Sequence, residues 1–152
     1  MIAKTVHPIA GALALATITT FWISTVLTET LGSTEAVVAV KTAIPWAFLL
    51  LVPALIAVGG TGVVLSHGAK RGLARVKRNR MPIVALNGLV GLIPAALFLA
   101  YKARAGEFDG MFYMVQALEL LLGGINIALL GLNMRDGLRM TGRLSPAKSE
   151  HH

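Results

Sequence analysis

SHGAKRGLARVKRNRM, residues Ser66 to Met81, places six Lys and Arg side chains (Lys70, Arg71, Arg75, Lys77, Arg78, Arg80) between two long apolar runs. Lys and Arg resist transfer across a bilayer that is negative inside, so a short loop this basic is expected to stay cytoplasmic. Every other segment takes its side from it. Outward from this loop, no Asp, Glu, Lys or Arg interrupts Thr5 to Thr28, Thr42 to Ala69 or Met81 to Tyr101, and Gly110 to Met134 holds one acid, Glu119. A helix needs about 20 residues to cross the hydrocarbon core, and each run is long enough.

Only helices satisfy their own backbone in lipid within one segment, and no run has the strict alternation of a barrel strand. The expected fold is therefore all-α: one integral membrane domain over residues 1–152, with helices near 6–28, 42–67, 82–102 and 110–134. A basic loop at 68–81 and a tail at 135–152 complete it. Short linkers predict an up-down-up-down four-helix bundle. With the Ser66 to Met81 loop inside, eleven Lys and Arg are cytoplasmic and three (Lys41, Lys102, Arg104) are outside, which puts both termini in the cytoplasm. The first run is too long for a secretory signal and lacks a small-x-small exit before Glu29, so it reads as an uncleaved span.

Composition agrees. With 55% hydrophobic and 14% charged residues and a mean hydropathy of +0.72, the chain is too apolar for a soluble domain of 152 residues. The absence of cysteine excludes a disulfide framework, thiolate metal sites, covalently attached c-type haem and a Cys nucleophile. The net charge of +7 reads as a topology signal and as contact with anionic lipid head groups, not as nucleic-acid binding. Bacterial inner membrane is the expected location.

Two histidines lie outside the C-terminal His151–His152 pair: His7, just before Pro8, and His67, at the start of the basic loop. Counted from a hairpin centre near residue 35, they fall at the same end of adjacent helices, within about one turn, roughly 6 Å. Two imidazoles so placed can ligate a haem iron axially, and Gly11 and Ala14 beside His7, with Gly59 and Gly60 before His67, offer a slot for a flat ring. Lys4, Lys70 and Arg71 would pair with propionates at head-group level, and Asn87 would orient an imidazole. The competing reading makes both histidines interfacial residues with polar tips among head groups.

The last run is the most polar inside. Glu119, Asn126 and Asn133 recur at seven-residue spacing on one helix face, with Gln116 on the adjoining turn. Glu119, about 14 Å past Gly110, is expected near the membrane centre, protonated or paired, and with Gln116 forms a candidate proton or quinone site. Thr20 and Ser24 are expected to complete its pocket. Thr17, Thr20, Ser24 and Thr28 equally read as hydroxyls bonded to their own helix, and Trp22 and Trp46 as membrane anchors.

On these residues the chain resembles the small bacterial four-helix membrane b-type cytochromes and haem-binding membrane oxidoreductases. The resemblance covers roughly Thr5 to Met134 and rests on His7, His67 and the flanking glycines. It implies an electron-transfer protein with one haem b, exchanging electrons with quinone near Glu119. The usual two-haem pattern needs four intramembrane histidines, so at most one haem is expected. Two other readings stand: a non-catalytic accessory or assembly subunit with a membrane-protein partner or as a homodimer, and a small carrier coupled to protons at Glu119.

Overall fold

The computed structural model describes residues 2–65 and 72–142, with backbone alone at 73–75 and 77–78. All regular structure among them is helical: α1 (Ile2–Leu31), α2 (Thr34–Leu65), α3 (Leu73–Leu86), a π-helical turn (Asn87–Leu92), α4 (Ile93–Arg104) and α5 (Gly110–Met140). His67, Lys70 and Arg71, and with them one of the two expected haem ligands, lie outside the described residues.

The helices overrun the apolar runs that predict them. α1 continues past Thr28 to Leu31, α2 begins at Thr34 rather than near 42, much of the basic stretch is α3 rather than loop, and α5 runs past Met134 to Met140. A charge ends an apolar run but does not end a helix. At the start of α2 the Ser33 hydroxyl accepts from the Ala36 N–H and Glu35 occupies the first turn, both favourable at a helix N-terminus. α1, α2 and α5 have 30, 32 and 31 residues, about 45 to 48 Å long, so their ends stand beyond a hydrocarbon core of about 30 Å. α2 passes through Pro45 and Pro53 without interruption.

The π-helical turn has a local cause. Pro94 has no N–H to give the Val90 carbonyl and its ring crowds that turn, and the Ile93 N–H reaches back five residues to Gly88 instead. The widened turn aims Asn87 at α5, where its side-chain amide donates to the Leu122 carbonyl (2.9 Å) and to Asn126 Oδ1 (2.8 Å). Asn126 in turn donates to the Val84 carbonyl. Asn87 thus ties helices together.

Two apolar clusters form the core: Val37, Leu99, Ala103 and Phe112 at one end, and Ala14, Ile18, Leu51, Ala54, Val84 and Leu130 in the other half. Lipid tails are as apolar as leucine, so these clusters stabilise the bundle through close packing rather than escape from water. The outer surface is apolar, with Leu49, Ile56, Leu89 and Trp46 among its most exposed residues. The interior, by contrast, holds Thr25, Lys41, Gln116, Glu119, Asn126, Asn133 and Asp136. An arrangement with polar groups inside and hydrocarbon outside suits a lipid surround.

Candidate functional site

α5 sets out the interior polar face. Gln116, Glu119, Gly123, Asn126, Leu130, Asn133 and Asp136 are all buried, three or four residues apart, on the side turned to the other helices. The helix is placed by its start: Gly106 adopts φ +70 in the connection from α4, and the Asp109 carboxylate caps the first turn by accepting from the Phe112 N–H at 2.9 Å. Lys102 donates to the same carboxylate at 2.6 Å. The Lys102 hydrogen bond first, and the Phe112 N–H second, hold the Asp109 carboxyl below the usual carboxylate range.

Glu119 is paired. The Lys41 ammonium donates to Glu119 Oε2, and the two side chains are 1% and 10% exposed. Glu29, from the last turn of α1, lies within electrostatic reach of both and faces Gln116. Three helices thus contribute two carboxyls, one ammonium and one amide to a single cluster. Its hydrogen bonding is loose: Glu29 Oε1 and both amide atoms of Gln116 are buried with no partner at ordinary hydrogen-bond distance, although the Gln116 amide lies close enough to interact with the Glu29 carboxyl. Buried polar atoms are nearly always paired, so this concentration in one place makes the cluster the candidate site.

Lys41 and Glu29 were expected in an outer linker. The rule that ends a span at its first charge places that charge outside by construction, and the opposite charge on α5 pulls Lys41 in. The only sequence signal was position: Lys41 stands in the apolar stretch AVVAVKTAIP, on the helix face of buried Val37 and Ile44. Glu119 lies nine residues from one end of α5 and twenty-one from the other, hence toward the Glu29 and Lys41 end rather than midway. Thr20 is exposed and donates to its own Ala16 carbonyl, and Thr17 and Thr28 likewise donate within α1. Thr25, 2% exposed, is the α1 hydroxyl residue turned inward.

Trp22 is no lipid anchor. Its indole N–H donates to the Leu120 carbonyl at 2.9 Å, and a Cβ at Gly123 would stand 3.2 Å from Trp22 Cδ1. A cavity of about 50 Å³ lies beside it, lined by Trp22, Thr25, Phe48, Glu119 and Gly123 among others. That volume is too small for a ring-sized ligand, whose pockets run to roughly 300 Å³ and more, and Ile18, Phe21, Ile44, Leu51 and Leu92 make the rest of its wall apolar.

At the expected haem slot, His7 already has a partner on α2. His7 Nδ1 lies 2.9 Å from Thr61 Oγ1, whose own proton goes to the Ala57 carbonyl, and His7 Cε1 stands 3.3 Å from the Cβ position of Gly62. Gly11 faces Val58 at 3.9 Å, Ala14 is fully buried and Gly60 is exposed with nothing near it. Lys4 is exposed. Around His7 the two helices pack directly on each other, while His67, the other expected ligand, lies outside the described residues. No group of three or more His, Asp or Glu side chains able to hold a metal ion occurs among the described residues.

The class these features define is that of a helical protein with four helices long and apolar enough to cross a membrane, enclosing a charged interior. No family model, curated protein or solved structure matches the chain.

Proposed function

We propose that the protein exchanges protons at the cluster of Glu29, Lys41, Gln116 and Glu119, as the proton-coupling element of a cytoplasmic-membrane protein. Its helices run up, down, up and down, with both termini cytoplasmic; the proximity of His7 to Thr61 and of Glu29 to Lys41 supports this for the first pair. The observation that carries the reading is a charge count. Two carboxyls and one ammonium leave a net negative charge when all are ionised, in a place where an uncompensated charge is expensive. One proton removes it. Glu29, half-buried and nearest a helix end, is where that proton enters, and Gln116 offers both a donor and an acceptor to whatever relays it. No step is assigned to a haem or a quinone.

Infrared difference spectra of the full chain in lipid, titrated with pH, test this. One protonated-carboxyl band is expected in the wild type. It should vanish in Glu29→Gln and equally in Glu119→Gln, because each variant leaves one acid against one base. A wild type without the band, or a band that persists in both variants, would sink the proposal and leave a static ion pair, as in an accessory subunit. The same preparation, made with haem supplied, should show no Soret absorption; a Soret band lost in His7→Ala would restore the cytochrome reading.

A further inference from the structure

The proton site has two approaches along the bundle, and the structure treats them differently. Toward the near helix ends, the Val37, Leu99, Ala103 and Phe112 cluster covers α2, α4 and α5 one turn beyond Lys41 and Gln116, but α1 contributes Glu29 at this level, and Glu29 is half-buried. Toward the far ends, the next polar group on the interior face of α5 is Asn126, seven residues or about 10 Å from Glu119. Between them lies the buried Gly123, and the Trp22 indole covers it.

We propose that the cluster is open on one side only, at Glu29, and that Trp22 is the barrier that closes the other side. This rests on the proton-exchange reading. The indole is held at three points of α5: its N–H on the Leu120 carbonyl, its Cδ1 against Gly123 and its Nε1 near Gly124, where a Cβ would stand 3.8 Å away. Glycine at 123 is what lets a ring lie this close to the helix. Beyond the ring the amides of Asn87 and Asn126 are satisfied by each other and by backbone carbonyls, so they need no water. Before it lie three of the four unpartnered buried side-chain atoms among the described residues. Water belongs on the Glu29 side; on the other lies a small apolar cavity walled by Ile18, Trp22, Phe48, Leu51 and Leu92, and past it the hydrogen-bonded seam of Asn87 and Asn126. Trp22 is a positioning residue: it donates no proton and confines the exchange to one face. Replacing the indole by a methyl would merge its volume with the neighbouring cavity and admit a chain of waters.

The experiment is proton flux into vesicles reconstituted with the full chain and loaded with a pH-sensitive dye. Wild type should match protein-free vesicles. Trp22→Ala should raise the flux several-fold, and Glu119→Gln added to Trp22→Ala should return it to the wild-type level. Should Trp22→Ala fail to fold, Gly123→Ala takes its place: the added methyl displaces the indole and should raise the flux by a smaller factor. Flux at the wild-type level in whichever variant folds, with the carboxyl band still titrating, would overturn the barrier. So would a leak insensitive to Glu119→Gln, or a wild type that itself leaks. A missing carboxyl band would instead strike the underlying reading, so the two failures are distinguishable.

Discussion

The interior face of α5 carries a buried acid toward each end, and the two are held differently. Glu119 meets Lys41 among groups whose hydrogen bonding is unfinished: a second carboxyl, a bare amide and a small cavity. Asp136, 1% exposed, accepts from Arg80 at 2.8 Å through one oxygen and from its neighbour Arg135 at 3.3 Å through the other. There the charge is answered by two guanidiniums that reach toward head-group depth, and both carboxylate oxygens are used. An acid so satisfied fastens α3 to α5. The acid that shares its one cation with a second carboxyl is the one on which the proposed proton exchange rests. The difference lies in the acids themselves, since Asn133 Oδ1, one turn from Asp136, also lacks a partner: Asp136 has a cation for each oxygen, and Glu119 shares one ammonium with a second carboxyl.

The largest effect should come from breaking the first pair. Lys41→Met leaves Glu119 without its counter-charge in the bundle and is expected to cost about 3–5 kcal/mol in denaturant unfolding of the detergent-solubilised chain. Adding Glu119→Leu should recover most of that loss, since removing both charges also removes their desolvation cost. Equal stability of Lys41→Met and wild type would mean that water reaches the pair, and the contrast between the two ends would collapse. Arg80→Ala should cost less, about 1.5–3 kcal/mol, because Asp136 keeps Arg135. A loss as large as that of Lys41→Met would make the second pair equally dependent on a single partner.

The smallest effect concerns Asp109, at the exposed start of α5. Its carboxyl is held below the usual range by Lys102 and the Phe112 N–H, so its contribution is present above the ordinary carboxylate pKa and disappears as pH falls through the lower folded value. Asp109→Asn keeps a capping side chain but not the charge, and should lower the melting temperature slightly at neutral pH and converge with wild type in acid, which flattens the acid limb of a thermal-melting profile. An unchanged acid limb would show that Lys102 and Asp109 do not stay paired in solution.

Much of this architecture was legible in the chain. Uninterrupted apolar runs near the length of a bilayer announce helices, and the seven-residue recurrence of Glu119, Asn126 and Asn133 marks the inward face of the last one. Lys41 and Glu29 were not legible as site residues, because charge and hydropathy count a buried lysine exactly as they count a solvated one. Trp22 misled for a related reason: aromatic rings near span ends are usually at the lipid interface, and only the partner helix, with glycine at 123, turns this one inward. The histidine hairpin was a distance argument along two helices, and it gave no sign that His7 would meet Thr61.

By itself, the sequence determined that the described fold is helical and that its helices are long and apolar enough to span a membrane, since both follow from local backbone satisfaction and the energy of moving side chains from water to hydrocarbon. Only tertiary structure decided which charges meet. The partner of a buried acid is chosen by the phase and height at which helices remote in sequence come together, and Lys41 and Glu119, 78 residues apart, share neither a motif nor a period that would have joined them beforehand.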